Sequence, residues 1–150
     1  MRTLLSLCVG ATALVASTFA AAGPADDARR HFDAIAKGDV EQIMSGYADD
    51  VHFEWVGGPL NGTYIGSGPA GTGKGKIQEV WKKFAKANAP LEVSVTKLEE
   101  STNPAGSTVT ANVEFKGKNT IKVRYVLAFR NGQITSEVWQ IDPALTTAAY

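Results

Sequence analysis

The sequence predicts a single α+β domain in which a one-sided antiparallel sheet packs on helices. Apolar residues recur at helical spacing in three segments before residue 90. After residue 90 they alternate with polar residues in several long segments. Alternation of this kind buries one face of a strand and leaves the other in water, which is typical of antiparallel sheets covered on one side by helices.

The first two predicted helices form a hairpin with a very short turn. The first begins near Asp26 and ends at Gly38, and His31 lies on its apolar face. The second begins at Asp39 and is expected to carry Tyr47 on its inner face. The third is predicted from the helical spacing of its apolar residues, Ile77, Val80, Trp81, Phe84 and Ala85.

The alternating segments predict six strands, at residues 51–55, 63–65, 91–96, 109–116, 121–130 and 134–141. The last strand is apolar on both sides, so its facing stays open. If Trp139 and Ile141 face inward, Glu137 does too and is buried. If Ile134 and Val138 face inward instead, Glu137 is a solvated surface charge.

Residues 1–22 are predicted to be a secretory signal peptide that is cleaved from the chain. Arg2 precedes an apolar run, and Ala22 closes a small-residue cleavage site before Gly23. The run is shorter than the roughly 20 residues that a spanning helix needs. The mature chain, residues 23–150, is therefore expected to be one exported domain, periplasmic or extracellular, with no membrane contact after cleavage.

The composition excludes several kinds of site. Cys8 is the only cysteine and leaves with the signal, so neither a disulfide framework nor a cysteine-based metal site is expected. His31 and His52, the only histidines, lie on different faces, which argues against a metal site. Losing Arg2 changes the balance of basic and acidic residues from 15 and 15 to 14 and 15, so nothing suggests a nucleic-acid partner.

The glycine-rich segment 66–75 is predicted to be a loop leading into the third helix. It superficially fits a phosphate-binding loop. Gly75, however, stands where a serine or threonine would hold Mg²⁺, and no parallel βαβ unit surrounds the segment. We therefore expect no nucleotide and no other cofactor.

The order of these elements, together with three stretches of local sequence, resembles the nuclear transport factor 2-like superfamily. The resemblance covers residues 25–143 and includes SnoaL-type polyketide cyclases and ketosteroid isomerases. The stretches are GDVEQIMSGYADDVHFEW, VWKKF and NGQITSEVWQID. The resemblance implies a curved antiparallel sheet wrapped around three helices of the N-terminal half, a cone-shaped pocket between them and, in many members, a homodimer.

The resemblance also implies which residues line the pocket. His31 matches the tyrosine that the family's catalysts place on the first helix, Trp55 matches their carboxylate base, and Tyr125 matches a later protonated aspartate. Because the base is missing, ketosteroid isomerase activity itself is not expected. The pocket residues implied by the match are Tyr47, Phe53, Trp55, Tyr125 and Trp139, with His31 and Glu137 as the candidate catalytic pair.

Three functions remain open from the sequence. The chain is expected first to bind a small, mostly apolar or aromatic molecule without turning it over, because aromatic residues line the implied pocket. The second hypothesis is an acid/base enzyme, an isomerase, cyclase or dehydratase, that uses His31 and Glu137. The third is a module that dimerises or docks another protein through its sheet.

Overall fold

The computed structural model describes residues 22–68 and 73–142. The predicted signal peptide, the tip of the glycine-rich loop and the C-terminal tail lie outside these residues. The elements in chain order are α1 (Pro24–Lys37), α2 (Val40–Ser45), β1 (Tyr47–Val56), β2 (Gly62–Ile65), α3 (Lys74–Asn88), β3 (Glu92–Asn103), β4 (Gly106–Lys116), β5 (Thr120–Arg130) and β6 (Gln133–Ile141). In these two ranges no helix is long and apolar enough to cross a membrane.

The six strands form one curved sheet in the order β2-β1-β6-β5-β4-β3. Neighbouring strands are antiparallel except β1 and β6, which run parallel. The sheet is therefore mixed, because the last strand returns to lie beside the first in the same direction. Helix α1 contacts β3 and β4, while α3 contacts β1 and β2. The predicted α+β fold, a curved sheet around three helices, is confirmed.

The α1–α2 hairpin turns within two residues, Gly38 and Asp39. Gly38 has a left-handed backbone, with φ 73°, and a Cβ at this position would come within 2.7 Å of the Ala89 side chain. Only glycine meets both requirements without strain. The Asp39 side chain then caps α2 by accepting a hydrogen bond from the Gln42 amide at 3.0 Å.

Tyr47 begins strand β1, and the expectation that it continues the second helix is wrong. Helix α2 ends at Ser45 because the backbone pairs with the sheet immediately afterwards. The Ile134 amide donates to the Gly46 carbonyl at 2.8 Å, and Tyr47 then pairs with Ile134. Tyr47 is nevertheless buried, as expected, with 1% of its surface exposed.

A β-bulge at Thr135 determines which side chains of the last strand point inward. Phe129 pairs with Ile134 and Ala128 with Ser136, so Thr135 is an extra residue in β6. An extra residue reverses the alternation of faces, which lets Ile134 and Glu137 both point inward. Glu137 is fully buried, as the inward alternative required.

Candidate functional site

A buried histidine and a buried glutamate meet between α1 and β6. His31 Nε2 lies 3.0 Å from Glu137 Oε2, and the two side chains are 3% and 0% exposed. His31 is inward because it shares the apolar face of α1 with Ala28 and Phe32. Glu137 is inward because of the bulge at Thr135.

Two further side chains extend this pair into a chain of hydrogen bonds. The Tyr47 hydroxyl donates to Glu137 Oε2 at 2.5 Å, and the Trp81 indole N–H donates to the Tyr47 hydroxyl oxygen at 2.9 Å. An indole nitrogen can only donate, so the direction of the chain is fixed from Trp81 through Tyr47 to Glu137. The sequence placed Trp81 only in the core, since helical spacing carries no information about the partner of its N–H.

The tautomer of His31 follows from this network if Glu137 is ionised. An ionised carboxylate only accepts hydrogen bonds, so Glu137 Oε2 accepts from both Tyr47 and His31 Nε2. In a neutral imidazole the other ring nitrogen, Nδ1, then carries the free lone pair. The arrangement leaves His31 with one nitrogen committed to Glu137 and one available to accept a proton.

Two tyrosines near Glu137 are held in their neutral form. Burial raises the pKa of Tyr47 well above its ordinary value, and the charge and hydrogen bond of Glu137 raise it further. Burial also raises the pKa of Tyr125, and the charges of Glu137 and Tyr47 raise it further. Both phenols therefore keep their protons at neutral pH. The Tyr125 hydroxyl and Glu137 Oε1 are buried without a hydrogen-bond partner among the described residues.

A cleft of about 160 Å³ opens over His31 between α1, α2 and the turn that joins β5 to β6. Asp27, Arg30 and Gln42 contribute polar groups to its lining, and Phe129 and Ile134 contribute apolar surface. His31 therefore belongs both to the lining of the cleft and to the hydrogen-bonded pair with Glu137.

The structure brings the predicted pocket residues together as a packed aromatic cluster. Trp55 stacks on Trp139 with ring centroids 4.5 Å apart, and Phe53 lies 6.0 Å from Trp55. Tyr125 meets Trp139 edge-on at 5.3 Å, and Tyr47 lies 6.3 Å from Phe53. Each of the five is at most 1% exposed. Their role as a pocket lining stays a prediction, since the rings contact one another.

A larger cleft of about 250 Å³ lies on the outer face of the sheet. Its charged side chains pair with each other: Lys122 lies 3.2 Å from Glu114, and Arg124 lies 3.7 Å from Asp142. The lining of the smaller cleft includes a buried, hydrogen-bonded histidine, and histidine is the side chain suited to proton transfer at neutral pH. We therefore place the candidate site at the smaller cleft. Within residues 22–68 and 73–142, no three His, Cys, Asp or Glu side chains are grouped to hold a metal ion.

Comparison with protein families places most of the chain in one family model. The model of the SnoaL-like domain matches residues 28–137, a span that includes both His31 and Glu137. No protein of curated function matches the chain.

Solved structures with the same fold come from several bacteria. A protein of unknown function with a cystatin-like fold from Nostoc punctiforme PCC 73102 is 15% identical, with a TM-score of 0.59 over 80% of this chain and 89% of that one. An LEH-like epoxide hydrolase of M. tuberculosis is 14% identical, with a TM-score of 0.54 over 77% and 80%. A hypothetical protein with a ketosteroid isomerase-like fold from Catenulispora acidiphila DSM 44928, solved in complex with trimethylamine, is 15% identical, with a TM-score of 0.54 over 75% and 82%. At these identities the likeness shows the fold alone.

Proposed function

The chain belongs to the SnoaL-like domain family, and we propose that it is an acid/base enzyme that acts on a small molecule bound in the cleft at His31. One observation carries the proposal: His31 lines the cleft, and its imidazole is hydrogen-bonded to the buried carboxylate of Glu137. Histidine in this setting is the most common proton-transfer group in enzymes.

Each residue of the hydrogen-bond network has a role in this proposal. His31 Nδ1 takes a proton from the substrate, because Nε2 is committed to Glu137. Glu137 fixes the orientation of the ring and stabilises the imidazolium that forms, as a carboxylate behind a catalytic histidine does. Tyr47 and Trp81 act as positioning residues, because their hydrogen bonds hold Glu137 Oε2 in place.

Hydrogen–deuterium exchange tests the proposal without knowledge of the natural substrate. A panel of small carbonyl compounds is incubated with the protein in D₂O, and exchange at carbon is followed by NMR. We expect catalysed exchange by the parent protein and a loss of about 100-fold or more in His31→Asn. His52→Asn is the matched control, because His52 is the other histidine and its side chain is 48% exposed. Equal exchange by the parent protein and His31→Asn would contradict the proposal.

Ligand binding without turnover is a second candidate function. It is favoured by three buried polar atoms that have no partner among the described residues: the Tyr125 hydroxyl, Glu137 Oε1 and Trp139 Nε1. A ligand that parts the aromatic cluster would supply those partners. Native mass spectrometry of the purified protein tests this candidate, since a retained small molecule is expected if the interior is a binding site.

Export and dimerisation also stay proposals. The mass of the protein recovered outside the cytoplasm should correspond to a chain that begins at Gly23 if the signal peptide is cleaved as proposed. The outer face of the sheet, where Val126 is 42% exposed, is the proposed dimer surface. Sedimentation equilibrium at high protein concentration tests it, and a monomer there would contradict it.

A further inference from the structure

The volume of the cleft at His31 narrows the size of the small ligand that the sequence predicts. Its volume is about 160 Å³. Pockets that hold drug-sized molecules measure roughly 300 to 1,000 Å³, whereas a cavity of about 150 Å³ holds benzene. The part of a ligand that lies inside the cleft is therefore about the size of one substituted six-membered ring.

The walls of the cleft differ in chemistry. Phe129 and Ile134 provide an apolar wall, and Arg30 provides a cationic group beside His31. Arg30 is ion-paired with Asp27 through one terminal nitrogen. A guanidinium has five N–H groups, so this contact leaves donors for a second carboxylate.

We propose that the cleft takes a small carboxylate whose anionic group binds Arg30 and whose apolar part lies against Phe129 and Ile134. This inference rests on the acid/base function proposed above and names the substrate class of the same site. A carboxylate on Arg30 would bind in the cleft that His31 also lines, so the substrate would be held near the proposed proton acceptor. Asp27 competes for the same guanidinium and so weakens binding of the anion.

Benzoate and benzamide are suitable probes because they have nearly the same shape and differ in charge. Binding is measured by calorimetry and by the ring resonances of His31, with circular dichroism to confirm that each variant is folded. We expect benzoate to bind more tightly than benzamide and to weaken about tenfold in Arg30→Gln. Asp27→Asn should tighten benzoate binding, since it removes the competing carboxylate. Neither Arg30→Gln nor Asp27→Asn should alter benzamide binding appreciably.

Different results overturn different parts of this inference. If benzamide binds as tightly as benzoate and shifts the His31 resonances, the carboxylate class is wrong while the acid/base site stands. If Arg30→Gln leaves benzoate binding unchanged, Arg30 is not the anion site. If neither probe shifts His31, both the size and the class are wrong, and the exchange experiment with His31→Asn decides the proposed function separately.

Discussion

His31 and Glu137 are 106 positions apart in the sequence and 3.0 Å apart in the folded chain. Both side chains are almost entirely removed from water. Burial of a glutamate at 0% exposure is costly unless hydrogen bonds satisfy it. Glu137 Oε2 has two hydrogen bonds, while Oε1 has none among the described residues. The pair is thus both a candidate reaction centre and a structural link between α1 and β6.

His31 and Glu137 are expected to be strongly coupled in stability. His31→Phe removes one partner and leaves a buried carboxylate less well paired, which should cost about 3 kcal/mol of unfolding free energy. The double variant His31→Phe/Glu137→Leu replaces both polar groups and should be more stable than the sum of the single changes predicts. Urea unfolding of the four proteins measures the coupling. Additive single and double changes would mean that the two side chains do not depend on each other.

The fold and the inward position of His31 could be predicted from local patterns. Strand alternation and helical spacing depend on neighbours within a few residues, and both survive in the structure. His31 lies on an apolar stripe of α1, so its burial followed from the spacing of Ala28 and Phe32. The facing of Glu137 did not follow, because no glycine or proline marks the bulge at Thr135.

Other features depend on contacts between distant parts of the chain. Helical spacing continues from Val40 to Tyr47, but the helix ends where the Ile134 amide bonds to Gly46 and Tyr47 pairs with Ile134. The hydrogen bond from Trp81 to Tyr47 and the cleft over His31 likewise join separate elements. Arg30 and Phe129 are ordinary helix and strand residues in the sequence, and only the folded chain shows that they line the same cleft.

Trp81 is expected to contribute through its N–H group as well as through its ring. Trp81→Phe keeps an aromatic ring but removes the hydrogen bond to Tyr47, which should cost about 1 kcal/mol beyond the lost volume. Trp139→Phe is a matched control, because Trp139 is equally buried and its N–H has no partner among the described residues. Urea unfolding gives the difference between the two variants.

The same two variants distinguish positioning from packing. If Trp81 holds Tyr47 and Glu137 in place, Trp81→Phe should move the His31 ring N–H resonance, while Trp139→Phe should leave it nearly unchanged. Equal shifts in both variants would show that Trp81 acts only by packing.

Tyr47 and Tyr125 should make the protein sensitive to alkali. Both have a pKa raised well above the ordinary value of 10.0. Above that pH the unfolded chain loses the two phenolic protons while the native protein keeps them, so the unfolding free energy falls as pH rises. The expected slope is about 1.4 kcal/mol per pH unit for each tyrosine. Below the ordinary pKa the stabilisation is fully present, so neither tyrosine should produce pH dependence near neutrality.

The single variants Tyr47→Phe and Tyr125→Phe check this assignment. Each should flatten the fall in stability above the ordinary tyrosine pKa, measured by urea unfolding across an alkaline pH series. Phenolate absorbance in the near ultraviolet should show one fewer late-titrating group in each variant. A slope that is unchanged in both variants would show that other groups cause the alkaline loss.

We expect the stability of the protein to depend on the backbone position of Thr135 far more than on its side chain. Thr135→Ala keeps the bulge and removes only the hydrogen bond to the Ala128 carbonyl at 3.3 Å, so we expect a loss of about 1 kcal/mol or less. Deletion of Thr135 instead removes the extra residue that lets Ile134 and Glu137 face the same side. Without the extra residue, either Ile134 must point outward or Glu137 and Trp139 must do so together. Exposing the buried Trp139 alone should cost roughly 3 kcal/mol or more of unfolding free energy. Thermal unfolding and the His31 ring resonances measure both effects. A deletion variant that keeps the stability of Thr135→Ala and an unshifted His31 resonance would show that the bulge does not set the inward position of Glu137.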